Sequence, residues 1–183
     1  MISSLKTLIL AWEVLPLTNS SRIYRLARIS LIAALYFVCT VALAPISFGA
    51  VQFRLSEILV LLCFYKKDYC YSLVLGCALA NLFSPLGIYD VIFGTLATAL
   101  TVIAVSHCRH LLLATLFPTL GCVIVGLELY ILTDVPFFLT TGTVMLGEFI
   151  TVTGIGYPIF RLLERNRGFM KIIGIDSPHK KVS

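Results

Sequence analysis

Four acidic side chains interrupt the apolar stretches of this sequence and are its main candidates for chemistry. Glu57 follows a polar connector, Asp90 comes three residues after Gly87, and Glu128 and Glu148 lie within long apolar runs. A charged side chain at the centre of a bilayer costs about 2.5–3.5 kcal/mol even on insertion scales, so such residues usually face a protein interior or a water-filled site. The four carboxylates therefore predict a polar site inside an apolar protein.

The polar connector that ends at Glu57, residues 47–57, has the sequence SFGAVQFRLSE. The apolar run of residues 55–65 would make a helix of about 16 Å, whereas the hydrocarbon core is about 30 Å thick. We therefore expect the connector to lie below the membrane surface, where irregular backbone is tolerated only if it is buried in protein or lines a cavity. Its candidate site residues are Gln52, Phe53 and Arg54.

Two structural explanations remain open beside a ligand site. One is an ion pair between Arg54 and Glu57, and the other is a helix cap by Asp90, where an acid also suits the helix dipole. Glu128 and Glu148 have no cation near them in sequence, which makes them the stronger functional candidates. Because Arg54 is the one cation in the predicted outer segments, we expect a negatively charged pocket open to the outside, with Glu148 as a direct ligand.

The composition indicates an integral membrane protein without a cofactor. The 183 residues are 59% hydrophobic and 13% charged, and the mean hydropathy is +1.00; soluble domains are about 25% charged. The sequence contains no P-loop and no C-x-x-C pair, and its three histidines are not spaced as metal ligands. The six cysteines are therefore expected to be buried small apolar residues.

The hydropathy pattern predicts an all-α membrane domain of six helices, residues 25–163. The expected helices are 23–44, 55–65, 69–83, 88–106, 111–132 with a kink at Pro118, and 142–163, and the last two are separated by a loop over 133–141. Residues 1–24 are expected to form a cytoplasmic segment with a helix lying on the membrane. Residues 164–183 are expected to form a basic cytoplasmic tail.

The positive charges predict the orientation of this domain. Thirteen of the fourteen Lys and Arg residues fall in the predicted cytoplasmic segments, and the external segments hold only Arg54. Since cytoplasmic loops carry an excess of Lys and Arg, both termini are expected to be cytoplasmic. The net charge of +5 thus reflects topology, and we expect no nucleic-acid partner.

Small residues recur at helical spacing in two of the predicted helices. Ser72, Gly76, Ala80 and Ser84 form a stripe on the third helix, for which we expect internal packing, because small residues let helices approach closely in lipid. A second set lies on one face of the first helix and is a candidate docking face for another membrane protein; its members are Ala27, Ser30 and Ala34.

Three segments resemble the QueT family. They are residues 44–57 (APISFGAVQFRLSE), 80–90 (ANLFSPLGIYD) and 93–98 (FGTLAT), and the pairing of Gly147-Glu148 with Gly156-Tyr157-Pro158 adds support. The resemblance covers about residues 25–163. QueT proteins are substrate-binding (S) components of energy-coupling-factor (ECF) transporters and are assigned to queuosine precursors.

The resemblance implies a prokaryotic plasma-membrane protein that is not itself an enzyme. Such an S component captures a 7-deazaguanine, such as the aminomethyl form or queuine, from outside. It then docks on a transmembrane scaffold (T) protein with two cytoplasmic ATPases. S components often carry an Ala-x-x-x-Ala docking motif, which only Ser30-x-x-x-Ala34 approximates here. Phe48, Phe53 and Tyr89 offer stacking faces for a base, and the predicted polar substrate-binding residues are Gln52, Arg54, Glu57, Asn81, Asp90, Glu128 and Glu148.

Two other functional classes remain open. A proton-coupled carrier for a cationic or purine-like molecule would use Glu128 or Glu148 as its proton site, but the sequence shows no internal repeat of the kind common in carriers. An intramembrane enzyme would need a nucleophile with a base, or a set of metal ligands, and the sequence contains no such constellation.

Overall fold

The computed structural model of the chain describes residues 2–49 and 52–174, and these two ranges contain helices and connecting turns but no strand. The connector leads into a 3-10 helix, Leu55–Leu61, and a π-helical segment, Phe149–Gly156, follows Glu148. The α-helices are α1 (Ile2–Ala42), α2 (Ala44–Ser47), α3 (Leu62–Tyr65), α4 (Tyr69–Asn81), α5 (Ile88–His107), α6 (Leu111–Ala114), α7 (Leu116–Thr133), α8 (Phe137–Glu148), α9 (Tyr157–Leu163) and α10 (Arg167–Ile172).

The expected all-α membrane class is confirmed. Within the described ranges, four helical stretches are long and apolar enough to cross a membrane: Arg22–Ala42, Ile88–His107, Leu111–Thr133 and Phe137–Leu163. Two shorter apolar helices, Leu55–Tyr65 and Tyr69–Asn81, lie between the first and second of these. The count of six spans stays a prediction.

The two segments that flank the predicted membrane domain are described to different extents by the structure. The boundary expected between residues 24 and 25 falls inside α1, which is continuous from Ile2 to Ala42. The basic tail is described as far as residue 174, and residues 175–183 lie outside the described ranges.

The short second helix is longer from end to end than the length of about 16 Å expected for an α-helix of its residues. Its first seven residues, Leu55–Leu61, form the 3-10 helix before α3 continues to Tyr65. A 3-10 helix rises about 2.0 Å per residue against about 1.5 Å in an α-helix, so the whole segment spans about 20 Å.

The prediction of a loop over residues 133–141 is wrong, because most of this range is helical in the structure. α7 ends where Asp134 adopts left-handed backbone with a φ of 52°. α8 already begins at Phe137, directly after Pro136, whose φ is −62°. A proline ring fixes φ near the helical value and suits the start of a helix, so only residues 134–136 connect the two helices.

The kink expected at Pro118 is displaced toward the start of the helix. The break falls at Thr115, between α6 and α7. Proline lacks an N–H, and its ring clashes with the carbonyl four residues earlier, which here belongs to Ala114. The irregular residue therefore precedes Pro118 by three positions.

α4 packs closely against α1 through the small-residue stripe Ser72, Gly76 and Ala80, all of which are buried. A Cβ atom built on Gly76 would lie 2.8 Å from the carbonyl oxygen of Ala33 and 3.0 Å from Cβ of Tyr36. The stripe thus packs internally, as expected from its spacing. The other small-residue set of α1, residues 27, 30 and 34, is exposed.

We expect Gly76→Ala to destabilise the protein, because the neighbouring Ala33 oxygen belongs to helix backbone and cannot move aside. Gly142→Ala is the matched control, since α8 has open space around Gly142 and alanine gains helix propensity there. The free energies of unfolding of the two variants should differ by about 1–3 kcal/mol. Thermal unfolding in one detergent measures this difference, and equal midpoints would contradict the close α1–α4 contact.

One end of the bundle gathers segments that the sequence places in the cytoplasm. Arg25 Nη2 donates to Asp68 Oδ1 at 2.6 Å, which joins α1 to the turn before α4. Lys66 Nζ donates to the Gly174 carbonyl at 3.3 Å, and the Tyr69 hydroxyl donates to the Ile173 carbonyl at 2.5 Å. The part of α1 around Arg25, the 66–68 turn and the segment after α10 therefore form one basic end.

Candidate functional site

A small cavity lies between the connector, the 3-10 helix, α5, α7 and α8. Its volume is about 30 Å³, which is room for about two water molecules. Gln52 and Arg54 line it from the connector, Glu57 from the 3-10 helix and Glu148 from the end of α8. Four of the predicted site residues, which come from three separate segments, thus meet at one cavity.

Arg54 is a buried cation with spare hydrogen-bonding capacity. Its side chain is 5% exposed, its Nε donates to the Ser47 carbonyl at 3.3 Å, and its guanidinium lies 5.2 Å from the centre of the Phe48 ring. Its Nη2 has no hydrogen-bond partner among the described residues. Because an unsatisfied buried donor is costly, Arg54 is suited to hold an acceptor atom of a ligand.

Glu57 is held by a tyrosine of α1. The Tyr36 hydroxyl donates to Glu57 Oε1 at 2.5 Å, and both side chains are buried. The ion pair considered between Arg54 and Glu57 is not formed: within residues 22–49 and 52–174 the salt bridges join other groups. The two side chains still interact electrostatically across the cavity.

Glu148 combines burial with an unsatisfied oxygen. Its side chain is 4% exposed and its Oε1 has no hydrogen-bond partner in the part of the chain that the structure describes. It ends α8 at the point where the π-helical segment begins, and π-bulges within α-helices are frequent at functional sites. Glu148 is therefore positioned to accept a hydrogen bond from a ligand in the cavity.

Asp90, Asn81 and Glu128 form a second polar cluster, which does not line the cavity. The Asp90 carboxylate accepts a hydrogen bond from Ser84 Oγ, and the Asp90 carbonyl accepts one from Asn81 Nδ2 at 3.0 Å. Glu128 is fully buried beside the Asp90 carboxyl group, and no hydroxyl, amide or N–H group among the described residues donates to either of its oxygens.

The helix cap considered for Asp90 is not formed, because Gly87 occupies the cap position of α5. Gly87 has a φ of 58°, a left-handed conformation that glycine adopts without the steric cost of a Cβ. Asp90 still lies in the first turn, where an acid suits the helix dipole. Its carboxylate accepts a hydrogen bond from Ser84 instead of capping the helix.

A short chain of polar contacts connects the second cluster to the cavity. Asn81 Nδ2 lies 3.3 Å from Cys77 Sγ, which lies 3.2 Å from Thr98 Oγ1, and Thr98 lines the cavity. A Cβ atom on Gly94, another lining residue, would lie 2.5 Å from Asn81 Nδ2. One layer of side chains therefore separates the two groups of acids.

The three aromatic side chains considered for stacking on a base lie at different places in the structure. Phe48 stacks on Arg54. Phe53 is half-buried and is fixed through its backbone N–H, which donates to the Ile46 carbonyl at 3.1 Å. Tyr89 is 49% exposed at the start of α5, so it does not present a stacking face to the cavity.

Sequence analysis did not identify several of the residues that line the cavity, although most of them recur at helical spacing. α5 contributes Gly94, Ala97, Thr98 and Thr101 to the lining, a face of small and hydroxyl side chains at intervals of three and four residues. That periodicity, read beside the acids, was sufficient to find them. Tyr36 had no comparable signal, because a tyrosine in an apolar helix is common.

The two clusters together contain more carboxyl groups than cationic groups. Their carboxyl groups belong to Glu57, Asp90, Glu128 and Glu148, which are 7%, 5%, 0% and 4% exposed, and the one buried guanidinium facing them among the described residues is Arg54. Buried charges are normally paired. The arrangement is therefore suited to a ligand that brings hydrogen-bond donors and positive charge.

Comparisons with known proteins identify the family of this chain. A family model described as QueT transporter matches residues 26–165, which include the cavity and the second cluster. The queuosine precursor transporter QueT of Lactococcus lactis subsp. cremoris (strain MG1363) is 32% identical over 151 residues, covering 73% of this chain and 89% of that protein. No solved structure is significantly similar to the chain. The chain belongs to the QueT transporter family, and it is a multi-pass protein of the cell membrane.

Proposed function

We propose that this chain is a substrate-capture subunit that binds a queuosine precursor, a 7-deazaguanine base, in the cavity formed by the connector, α5, α7 and α8. The observation that carries the proposal is the meeting of Arg54, Glu57 and Glu148 at a buried cavity. Membership of the QueT family and the name of the Lactococcus relative supply the substrate class.

The edge of a 7-deazaguanine matches the groups that face the cavity. Its ring N–H and exocyclic amine donate hydrogen bonds that one carboxylate accepts side by side, a strong charge-assisted arrangement. Glu148 takes this role because its Oε1 has no partner among the described residues. Arg54 then donates through Nη2 to the carbonyl oxygen of the base.

Binding requires the cavity to enlarge. The volume of about 30 Å³ suits about two water molecules and not a fused bicyclic base. The lining contains small side chains on α5 and α7, together with the connector that carries Gln52 and Arg54. The described conformation is therefore a contracted one, and substrate binding selects or induces a wider one.

The charge of the two clusters favours a precursor with an ammonium group. If all four buried carboxyl groups are ionised, Arg54 compensates only one of them. An aminomethyl arm on the base adds one cation, and Glu128 with Asp90 can hold it without displacing the base from Glu148. We therefore assign the base to the cavity and the ammonium arm to the second cluster, which requires the enlarged cavity to open through the layer of Asn81, Cys77 and Thr98.

The proposal includes six spans, both termini in the cytoplasm and docking on an ECF module. The two short apolar helices, Leu55–Tyr65 and Tyr69–Asn81, supply the remaining spans. The basic end formed by α1, the 66–68 turn and α10 supports the cytoplasmic side. The exposed face of α1 with Ala27, Ser30 and Ala34 is the proposed contact with the scaffold protein.

Uptake assays test whether this chain only binds the substrate while its partners drive transport. We expect the purified chain to bind a labelled 7-deazaguanine but not to accumulate it in vesicles, because the chain has no P-loop. Co-reconstitution with an ECF module and ATP should produce concentrative uptake, and a module with inactive ATPases is the control. Uptake by the chain alone in a proton gradient would favour the carrier and contradict the ECF proposal.

A further inference from the structure

A groove on the surface of the basic end lies between α1 and α10, away from the substrate cavity. It is an open groove of about 380 Å³, lined by Tyr24, Ala27, Arg28, Leu31 and Lys171. Its volume is in the range of about 300–1,000 Å³ that is typical of small-molecule sites. The substrate cavity does not include this groove, and only Ala27 is shared with the proposed scaffold-docking face, so the charged groups of the groove need a separate explanation.

The groove carries a positive charge that the described residues do not neutralise. Among the described residues its lining contains two cations, Arg28 and Lys171, and no acid. Asp68, which lines the neighbouring pocket with Arg28, is engaged by Arg25 at 2.6 Å and Lys66 at 4.0 Å. Within residues 22–49 and 52–174, neither Arg28 nor Lys171 takes part in a salt bridge.

Arg28 is held in place although it forms no salt bridge with the described residues. Its Nε donates to the Tyr24 carbonyl at 3.3 Å, and its guanidinium lies beside Gly174, where an added Cβ would be 1.9 Å from Nη1. Arg28 is half-buried, whereas Lys171 is exposed. A half-buried guanidinium and an exposed ammonium in one groove are an arrangement suited to a phosphate group.

The rest of the groove is apolar and continues into the membrane-spanning surface. It lies at the Arg22 end of the candidate span Arg22–Ala42. Leu31 is 67% exposed and is followed on the helix surface by Leu35 and Val38, which are 44% and 55% exposed. Tyr24, 65% exposed, lies at the level where tyrosines commonly meet lipid headgroups.

We propose that this groove is a binding site for an anionic phospholipid. The lipid phosphate lies between Arg28 and Lys171, and an acyl chain follows Leu31 and the exposed leucine and valine beyond it. Basic grooves at the cytoplasmic end of membrane-spanning helices bind acidic headgroups in this way. The proposal rests on charge and shape at α1 and α10 and not on the substrate cavity, and the groove shares Ala27 with the proposed scaffold contact.

Native mass spectrometry of the full chain in detergent tests the proposal. Phosphatidylglycerol and phosphatidylcholine of equal chain length are added in turn, and we expect a one-to-one complex with phosphatidylglycerol at the lower concentration. Arg28→Gln with Lys171→Gln should weaken that complex about 30-fold, which equals about 2 kcal/mol, since each basic residue near anionic lipid contributes about 1 kcal/mol. Arg28→Lys should retain most of the affinity.

The matched control is Arg109→Gln with Arg165→Gln, which removes the same charge from exposed positions outside the groove. This control should bind phosphatidylglycerol as the parent does. An equal loss in the control, or equal affinity for the two lipids, would reduce the effect to general electrostatics and overturn the site. Displacement of the lipid by millimolar inorganic phosphate would also overturn it, because the groove would then be a site for free phosphate. If the double variant is not folded, the single Lys171→Gln variant gives the same comparison at an exposed position.

Discussion

Replacing Glu148 by glutamine is expected to weaken binding of a 7-deazaguanine by roughly 30- to 1,000-fold, or about 2–4 kcal/mol. Glutamine keeps the size of the side chain but exchanges one acceptor oxygen for an amide donor. That donor would face the donors of the base. The loss therefore combines a missing charge-assisted hydrogen bond with two unsatisfied polar groups in a buried site.

Equilibrium binding of a labelled base to the detergent-purified protein measures this effect. Glu164→Gln is the matched control, because Glu164 accepts hydrogen bonds from Tyr65 and Arg161 and does not line the cavity. The control should bind as the parent does. Adenine should bind far more weakly than the deazaguanine to both proteins, because its edge has a different donor pattern.

Retention of affinity within about threefold by Glu148→Gln would remove Glu148 from the site, since it corresponds to less than 1 kcal/mol. Glu57 would then be the carboxylate nearest the base, because it lines the same cavity. Glu57→Gln is a less direct test of ligand contact, however, since it also disturbs the hydrogen bond from Tyr36.

The sequence was sufficient to predict the helices and the burial of the acids, because both follow from the cost of polar groups in hydrocarbon. The long apolar runs correspond to α1, α5, α7 and α8–α9, with boundaries displaced where Pro118 and Pro136 act on the local backbone. The short second helix was also correctly placed over residues 55–65. Its 3-10 geometry was not predicted, since the apolar run alone does not distinguish the two kinds of helix.

The partners of the acids could not be predicted, because they depend on how distant segments pack. Glu57 accepts its hydrogen bond from Tyr36, twenty-one residues away on α1, and not from its neighbour Arg54. The division of the acids between the cavity and the Asp90–Glu128 cluster likewise depends on Asn81, Cys77 and Thr98 as an intervening layer. Spacing within one helix carries no information about such contacts.

The second large effect concerns the ammonium arm of the substrate. We expect the parent protein to bind the aminomethyl base roughly 10- to 100-fold more tightly than the analogue with a neutral nitrile in place of the arm, the usual magnitude for a hydrogen bond to a charged group. Glu128 is the expected partner, because no hydroxyl, amide or N–H group among the described residues donates to its two oxygens and it is fully buried beside Asp90.

Combining two ligands with two variants separates the base from the arm, as in a double-mutant cycle. Glu128→Gln should reduce the preference for the aminomethyl form to within about threefold while leaving the nitrile analogue's affinity near that of the parent. Glu148→Gln should weaken both ligands by a similar factor and keep the preference. Equal affinity of the parent for both ligands would contradict the assignment of the arm to the second cluster. The excess negative charge would then have to be neutralised by protons on the carboxyl groups, and Glu128 would become the proton site of a carrier.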